Sequence, residues 1–510
     1  LAYYLAIFAM VFGSTFGTIN SANAIDITAG ATWNVNDVSS ALDDGVTGIL
    51  TADIDVKTNA ATILIDTTAS QITDATAIAL GDISDSASGV ATLSIVNQAS
   101  ADFNLVLGIN SINIDGALDY EADDASGATS ATKTLTIAAD SSTGTRFEID
   151  NNDVTDGVDM IVDMNGNLTV GAKAASGSGG GQLLVTALGA TTGPVVSSTT
   201  LKISGNLTAK GVAGAGVDAI VLDDLAAGTA GVATLQFDGQ TAQTITGEID
   251  GSGAKEGKLL ISGTGTVASF SNKIGVGAQV RTIQIAAGAE AKFADIIDTF
   301  ELDLDNDITV SENNNVIGVG DTGSLNIANA AIVTIDDSIA AGESVFKTDA
   351  TDDAAGVVIG TGGHTVNLPS NFTTGTITYI DGADQTLDST MISDTVVTDT
   401  ALTDYTAALA NTNVDIAITA TAKSTATTAS ELSVTTNMAK ALKEANLAAK
   451  AGSSSDSGAV DGMTTVLNAG TTTDTTMAQQ AAPQTDMISG STFATKAMTG
   501  SLQGIMSNRM

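Results

Sequence analysis

The chain has 510 residues, 43% of them hydrophobic but only 4% aromatic, with three prolines and no cysteine. That apolar share is too high for a chain that stays disordered, and the missing cysteine excludes disulfides and thiol chemistry. A formal net charge of −40, from 58 acidic and 18 basic residues, disfavours nucleic acid and anionic membrane surfaces and suits an exposed, aggregation-resistant exterior.

Residues 1–24 read as most of a secretory signal. The apolar run Leu1–Phe12 is too short for a membrane span. Ser21-Ala22-Asn23-Ala24 offers an Ala-x-Ala cleavage site at Ala22 and Ala24, which makes Ile25 the first mature residue. No initiator Met or basic leader precedes it, so the signal is expected to be truncated at its start.

Residues 25–428 have a uniform texture of short β-prone runs broken by Gly, Asn or Asp, such as Ala91–Val96 and Thr376–Ile380. A recurring phrase places an aliphatic residue after a small or polar lead, with a second apolar residue two further on. Its anchors are Leu168, Leu183, Leu207, Leu235, Leu259, Ile283 and Leu325, with gaps of 15, 24, 28, 24, 24 and 42. Units of this size, built of short strands without helical period, predict an all-β, right-handed parallel β-helix. Each coil buries its apolar side chains only by stacking on the next. Within an anchor phrase, alternation points Leu168 and Val170 inward and Thr169 to water. Coils of ~24 residues stacked ~4.8 Å apart would give a rod of roughly 16 coils and about 80 Å. A string of β-sandwiches is the competing architecture, but sandwiches bury more aromatic bulk than a body with one tryptophan, Trp33, provides.

From 429 to 475 the pattern turns helical. Met438, Leu442, Ala445 and Ala449 share one face, and Gly452 is placed to stop the helix. A polar link, Ser453–Gly458, follows. Residues 476–510 hold a second helical stretch beyond Pro483, with Met487, Ser491, Ala494, Met498, Leu502 and Ile505 on one face and Gly490, Ala497, Ser501 and Gly504 on another. Interior glycines cost such a helix about 1 kcal/mol each, so it suits a narrow enclosure rather than open water.

Candidate chemistry is sparse. His364 is the single histidine and is read as a turn residue between coils, with no Gly-x-Ser-x-Gly elbow beside it. A zinc site lacks ligands. Calcium would need oxygen donors: Asp303-Leu304-Asp305-Asn306-Asp307 is read as three carboxylates on one strand face, and Asp150–Asp153 with Asp156 as a polar loop, both read as solvated acidic surface. Gly177–Gly181 is read as a flexible turn, and Gly251 to Gly257-Lys258 fails the phosphate-loop spacing. Glycoside cleavage needs two flanking carboxylates, and a groove joining clustered aspartates to Arg146 or Arg281 would favour it. No catalytic residue, cofactor or metal is expected.

The C-terminal stretch resembles the junction that precedes the translocator barrel of autotransporters, on Ala478, Gln479, Gln480, Pro483, Ser507, Asn508 and Arg509. Ser433–Met438 and the alanine-rich run after it are similar to the helical segment that precedes this junction, with departures at Thr436 and Ala481, where proline and leucine are usual. The resemblance implies a surface-displayed or secreted passenger with a structural or adhesive role on a Gram-negative cell. Its partners would be an outer-membrane barrel of the same polypeptide, expected after Met510, and a host or surface ligand. The 27 residues from Gln484 to Met510, as a helix of about 40 Å, would thread that barrel. A polysaccharide-cleaving β-helix enzyme, or an S-layer or fibre protein, are the alternatives.

Overall fold

The structure is a computed structural model. It describes separate strands from residue 25 to residue 187 and, with short gaps, the chain from residue 198 to residue 451; side-chain surroundings are described only between residues 149 and 444. The signal residues Ala22 and Ala24 and the junction residues Gln479, Gln480, Pro483, Ser507, Asn508 and Arg509 lie outside the described residues.

The described chain winds as a parallel β-helix of three sheets. One coil shows the logic: Ile249–Gly251 lies in the first sheet, Glu256–Ile261 in the second and Val267–Phe270 in the third. The chain then returns to the first sheet at Ile274, which bridges to Ile249 and Ile297. All strand pairings up to Gly375–Asp381 are parallel and in register. Alternation explains why these sequences make these strands. In Glu256–Ile261 every second residue is buried, and the residues between are half-exposed.

The corners need glycine. Gly275 turns the chain between first and second sheets at φ 74°, where a Cβ would lie 1.7 Å from the Asp298 carbonyl oxygen. Gly263, at φ 85°, turns it between second and third sheets.

Inside, like stacks on like. Leu201, Leu235, Leu259, Ile283, Leu302 and Leu325 occupy one register column of the second sheet, and none is exposed to solvent. Burying each aliphatic side chain contributes about 2 kcal/mol. Phe237, Phe270 and Phe293 form a short aromatic ladder, edge-on at 5.7 Å and then stacked at 5.0 Å.

All seven anchors lie in strands, but not at one structural position. Leu168 and Leu207 are in the third sheet, Leu183 in the first and the rest in the second. Only the steps Leu235, Leu259, Ile283 mark whole coils. The gap of 42 before Leu325 holds a further coil through Leu302, which lacks the small leading residue and so hides from the pattern. Register partners Leu118, Val162 and Leu201 are 44 and 39 residues apart, so these coils are longer than 24 residues. The second sheet therefore reaches Gly356–Ile359 in twelve rungs from Thr32–Asn34, fewer than a constant 24-residue coil would give.

Near its C-terminal end the stack changes character. Asp298–Leu304 pairs at one end with Asn315–Ile317 and at the other with Ser324–Ile327, so the second sheet forks. One branch runs through Ser344–Thr348 to Gly375–Asp381. That strand then pairs antiparallel with Asp415–Ala422, itself antiparallel to Thr403–Ala410. Helices Thr425–Glu431 and Thr436–Ala451 follow the hairpin. Leu402, Leu432 and Leu442 make a small separate apolar cluster with Met438 and Val434 against it.

Candidate functional site

Two places in the described residues gather ionisable side chains in unusual surroundings. The first is a corner between the first and second sheets. Asp224 follows the strand Ile220–Asp223 and is wholly buried. Its Oδ1 accepts from the Ala233 N–H at 2.8 Å, and its Oδ2 from the Gly257 N–H, one coil on, at 3.0 Å. Arg281, a further coil on, sets its guanidinium 3.5 Å from Oδ2 and donates through Nε to the Lys255 carbonyl at 3.1 Å. Glu256 accepts from the Gly253 N–H at 2.7 Å. Lys255 lies over the Phe300 ring, 4.4 Å from its centroid.

Burial raises the Asp224 pKa above the usual carboxylate range, against the lowering effect of its two N–H donors and of Arg281. Burial likewise raises Glu256, with the Gly253 N–H opposing it. The corner thus joins Arg281 to clustered acids, the conjunction named above for a carbohydrate site. Its bonds run to the backbone, however: Asp224 ties three successive coils together, and the geometry is that of a brace.

The second place is near the end of the stack. His364 begins the third-sheet strand His364–Asn367 and is wholly buried. This corrects its reading as a turn residue: a register position on an inward face outweighs the flanking glycines. Its Nε2 lies 2.9 Å from the Tyr379 hydroxyl, and the two rings stack at 5.7 Å. Burial lowers the His364 pKa to about 4 and raises that of Tyr379 well above its ordinary value. Nearby, Tyr405 donates its hydroxyl to the Phe372 carbonyl at 2.9 Å, and burial pushes its pKa up to about 12. Lys423, buried, reaches Glu431 at 2.7 Å and Asp404 at 3.5 Å, tying the hairpin to the first helix after it.

The acidic run is not one strand face. Asp303 lies in the second-sheet strand, Asp305 in the bend after it, and Asp307 opens a third-sheet strand. Asp303 accepts from the Asn326 amide at 2.6 Å and Asp307 from the Ile332 N–H at 3.1 Å. Among the described residues no group of three or more acidic or histidine side chains is placed to hold a metal ion. Gly251 and Lys258 lie in consecutive strands of different sheets, on either side of one short corner. Arg146 starts a first-sheet strand. Asp150 and Asn151 end that strand; Asn152, Asp153, Asp156 and the glycines 177–181 lie outside the described residues.

Sequence reading passed over Asp224, Tyr379 and Lys423. An acid at or just after the end of a short apolar first-sheet run, Asp224 after Ile220–Asp223 and Asp250 within Ile249–Gly251, is the signal that could have found the corner carboxylates. Asp250 accepts from the Gly277 and Ala278 N–H groups of the next coil at 2.8 and 3.1 Å. Set against known protein families, curated proteins and solved structures, the chain matches none of them.

Proposed function

We propose that the chain is an autotransporter passenger, a β-helical shaft with a structural or adhesive role at the surface of a Gram-negative cell. The observation that carries this reading is the coil-on-coil stacking, in which each coil's paired backbone is the template for the next. Such a chain can cross a membrane unfolded and assemble from one end as it emerges, with no disulfide to form. The resemblance of residues 476–510 to an autotransporter junction supplies the export route, through a barrel encoded beyond Met510. The acidic exterior keeps a displayed shaft from aggregating.

The test is surface display. In cells expressing the intact gene, proteinase K added outside should digest the passenger. Deleting the sequence after Met510 should leave it in the periplasm. Surface exposure that survives that deletion would favour an S-layer or fibre protein.

A second reading has one observation in its favour. The corner of Asp224, Glu256 and Arg281, with the Phe300 ring beside Lys255, has the side chains of a polysaccharide-cleaving site. Cleavage of an acidic or neutral glycan, lost in R281M and E256Q while the thermal midpoint holds, would establish it. Inactivity of the wild type across a glycan panel would leave the corner as a brace.

A further inference from the structure

We propose that His364 is an acid-operated catch: protonating it frees Tyr379 and loosens the antiparallel cap at the C-terminal end of the shaft. The argument begins with hydrogen bonds. The His364 ring is wholly buried, and only its Nε2 has a partner, the Tyr379 hydroxyl at 2.9 Å. Its Nδ1 is buried without a partner among the described residues. A neutral imidazole tolerates this, because an unprotonated Nδ1 offers only a lone pair. An imidazolium must place two N–H donors. Tyr379 oxygen can accept one; for the other, only the Asp394 carbonyl and carboxylate favour the charged ring, and burial outweighs them, so the buried charged donor is costly.

The charged groups on the packed elements relieve it only in part: Asp394 favours the charged ring, but burial outweighs it. Asp394, which faces it from the next turn, accepts the His364 N–H through its backbone carbonyl at 2.9 Å, while its Oδ1 takes the Gly362 N–H at 3.4 Å. On the strand Ser344–Thr348, Phe346 packs edge-on against Tyr379 at 5.9 Å, and Lys347 is exposed. Glu343, just before that strand, accepts the Ala340 N–H at 2.6 Å. Asp381 ends the Tyr379 strand opposite Asp415. The strand Thr395–Val397 brings Thr395, uncharged, alongside His364.

Protonation therefore favours a ring that leaves its buried stack against Tyr379. Tyr379 sits in Gly375–Asp381, the strand that holds the hairpin of Asp415–Ala422 and Thr403–Ala410 on the shaft. Opening here moves the cap, while coils such as 256–285 keep neighbours on both sides. The inference goes beyond the export reading and does not depend on it.

Hydrogen exchange of the full chain at pH 7 and pH 4.5, corrected for intrinsic rates, tests this. With the histidine held near 4 when folded against 6.5 when free, linkage makes opening about 60-fold easier at pH 4.5 than at pH 7. That acceleration should appear in Gly375–Asp381 and Asp415–Ala422 relative to Glu256–Ile285. H364Q and H364F should each lose the extra acceleration. Because this is the chain's single histidine, its imidazole resonance can also be titrated directly and should shift far below pH 6.5. Uniform acceleration along the chain, retention of the effect in both variants, or titration near 6.5 with an unmoved cap would overturn the proposal.

Discussion

The shaft and its C-terminal cap are held by different kinds of interaction. In the coils from Thr199 to Ile327 the column from Leu201 to Leu325 sets an aliphatic side chain on an aliphatic one at every rung, and the corner carboxylates accept from the next coil's backbone. In the cap the contacts occur once: His364 with Tyr379, Tyr405 with the Phe372 carbonyl, Lys423 with Glu431. Repetition spreads any local loss over two neighbours, whereas single contacts concentrate it. The shaft is thus built to be extended and the cap to be a definite end, where antiparallel pairing stops the parallel ladder.

Damage to the shaft should be the most severe. Ile283→Ala opens a cavity between Leu259 and Leu302 and should cost about 2–5 kcal/mol in thermal or denaturant unfolding. Asp224→Ala strands two buried N–H groups and the Arg281 guanidinium and should cost about 2–3 kcal/mol. Asp224→Asn, which keeps an acceptor, should cost less.

Acid should act differently on the two regions: in the cap, burial raises Asp415 as it raises the shaft acids, but His364 there works in the opposite sense. Burial raises the folded-state pKa of Asp224, Asp238 and Asp303. The folded shaft then binds protons more readily than the unfolded chain, and its stability rises as pH falls through those raised values. His364 is lowered to about 4 from 6.5, so within that window the unfolded chain holds a proton that the folded chain refuses. Stability from His364 is therefore lost as pH falls from 6.5, by about 2 kcal/mol at pH 5. Melting followed by exchange or limited proteolysis should show the cap opening before the shaft at pH 5, with the gap narrowed at pH 7.

Smaller effects sharpen the contrast. Lys423→Met should loosen the cap by about 1 kcal/mol, because Glu431 and Asp404 are half-exposed and water screens both pairs. A double-mutant cycle with Glu431→Gln would isolate the coupling. On the shaft surface, Lys292→Ala removes an exposed pair with Glu290 and should change stability by less than about 0.5 kcal/mol.

How far the sequence could be read follows the same division. Leu235, Leu259 and Ile283 announce a coil because stacking demands the same residue type at the same place. Leu302 escapes because Phe300-Glu301 replaces the usual small lead, and a shortened coil breaks the period. His364 reads as a turn from Gly362-Gly363, yet those glycines only bring the chain round before an inward position. The pairing of His364 with Tyr379 depends on which strands meet at the end of the stack, and no local pattern records that. The antiparallel hairpin is equally silent, since Thr403–Ala410 and Asp415–Ala422 look like any other β-prone run.

The central claim is one continuous in-register stack, and a distance measurement tests it most directly. Thr200 and Ser324 occupy the same outward column of the second sheet through Thr234, Lys258, Thr282 and Glu301. The chain has no native cysteine, so spin labels on Thr200→Cys and Ser324→Cys report cleanly by pulsed electron–electron resonance. Five rung spacings predict a narrow distribution centred near ~24 Å, apart from label length. A broad distribution, or one centred several tens of ångströms beyond, as a string of separate domains would give, would contradict the account.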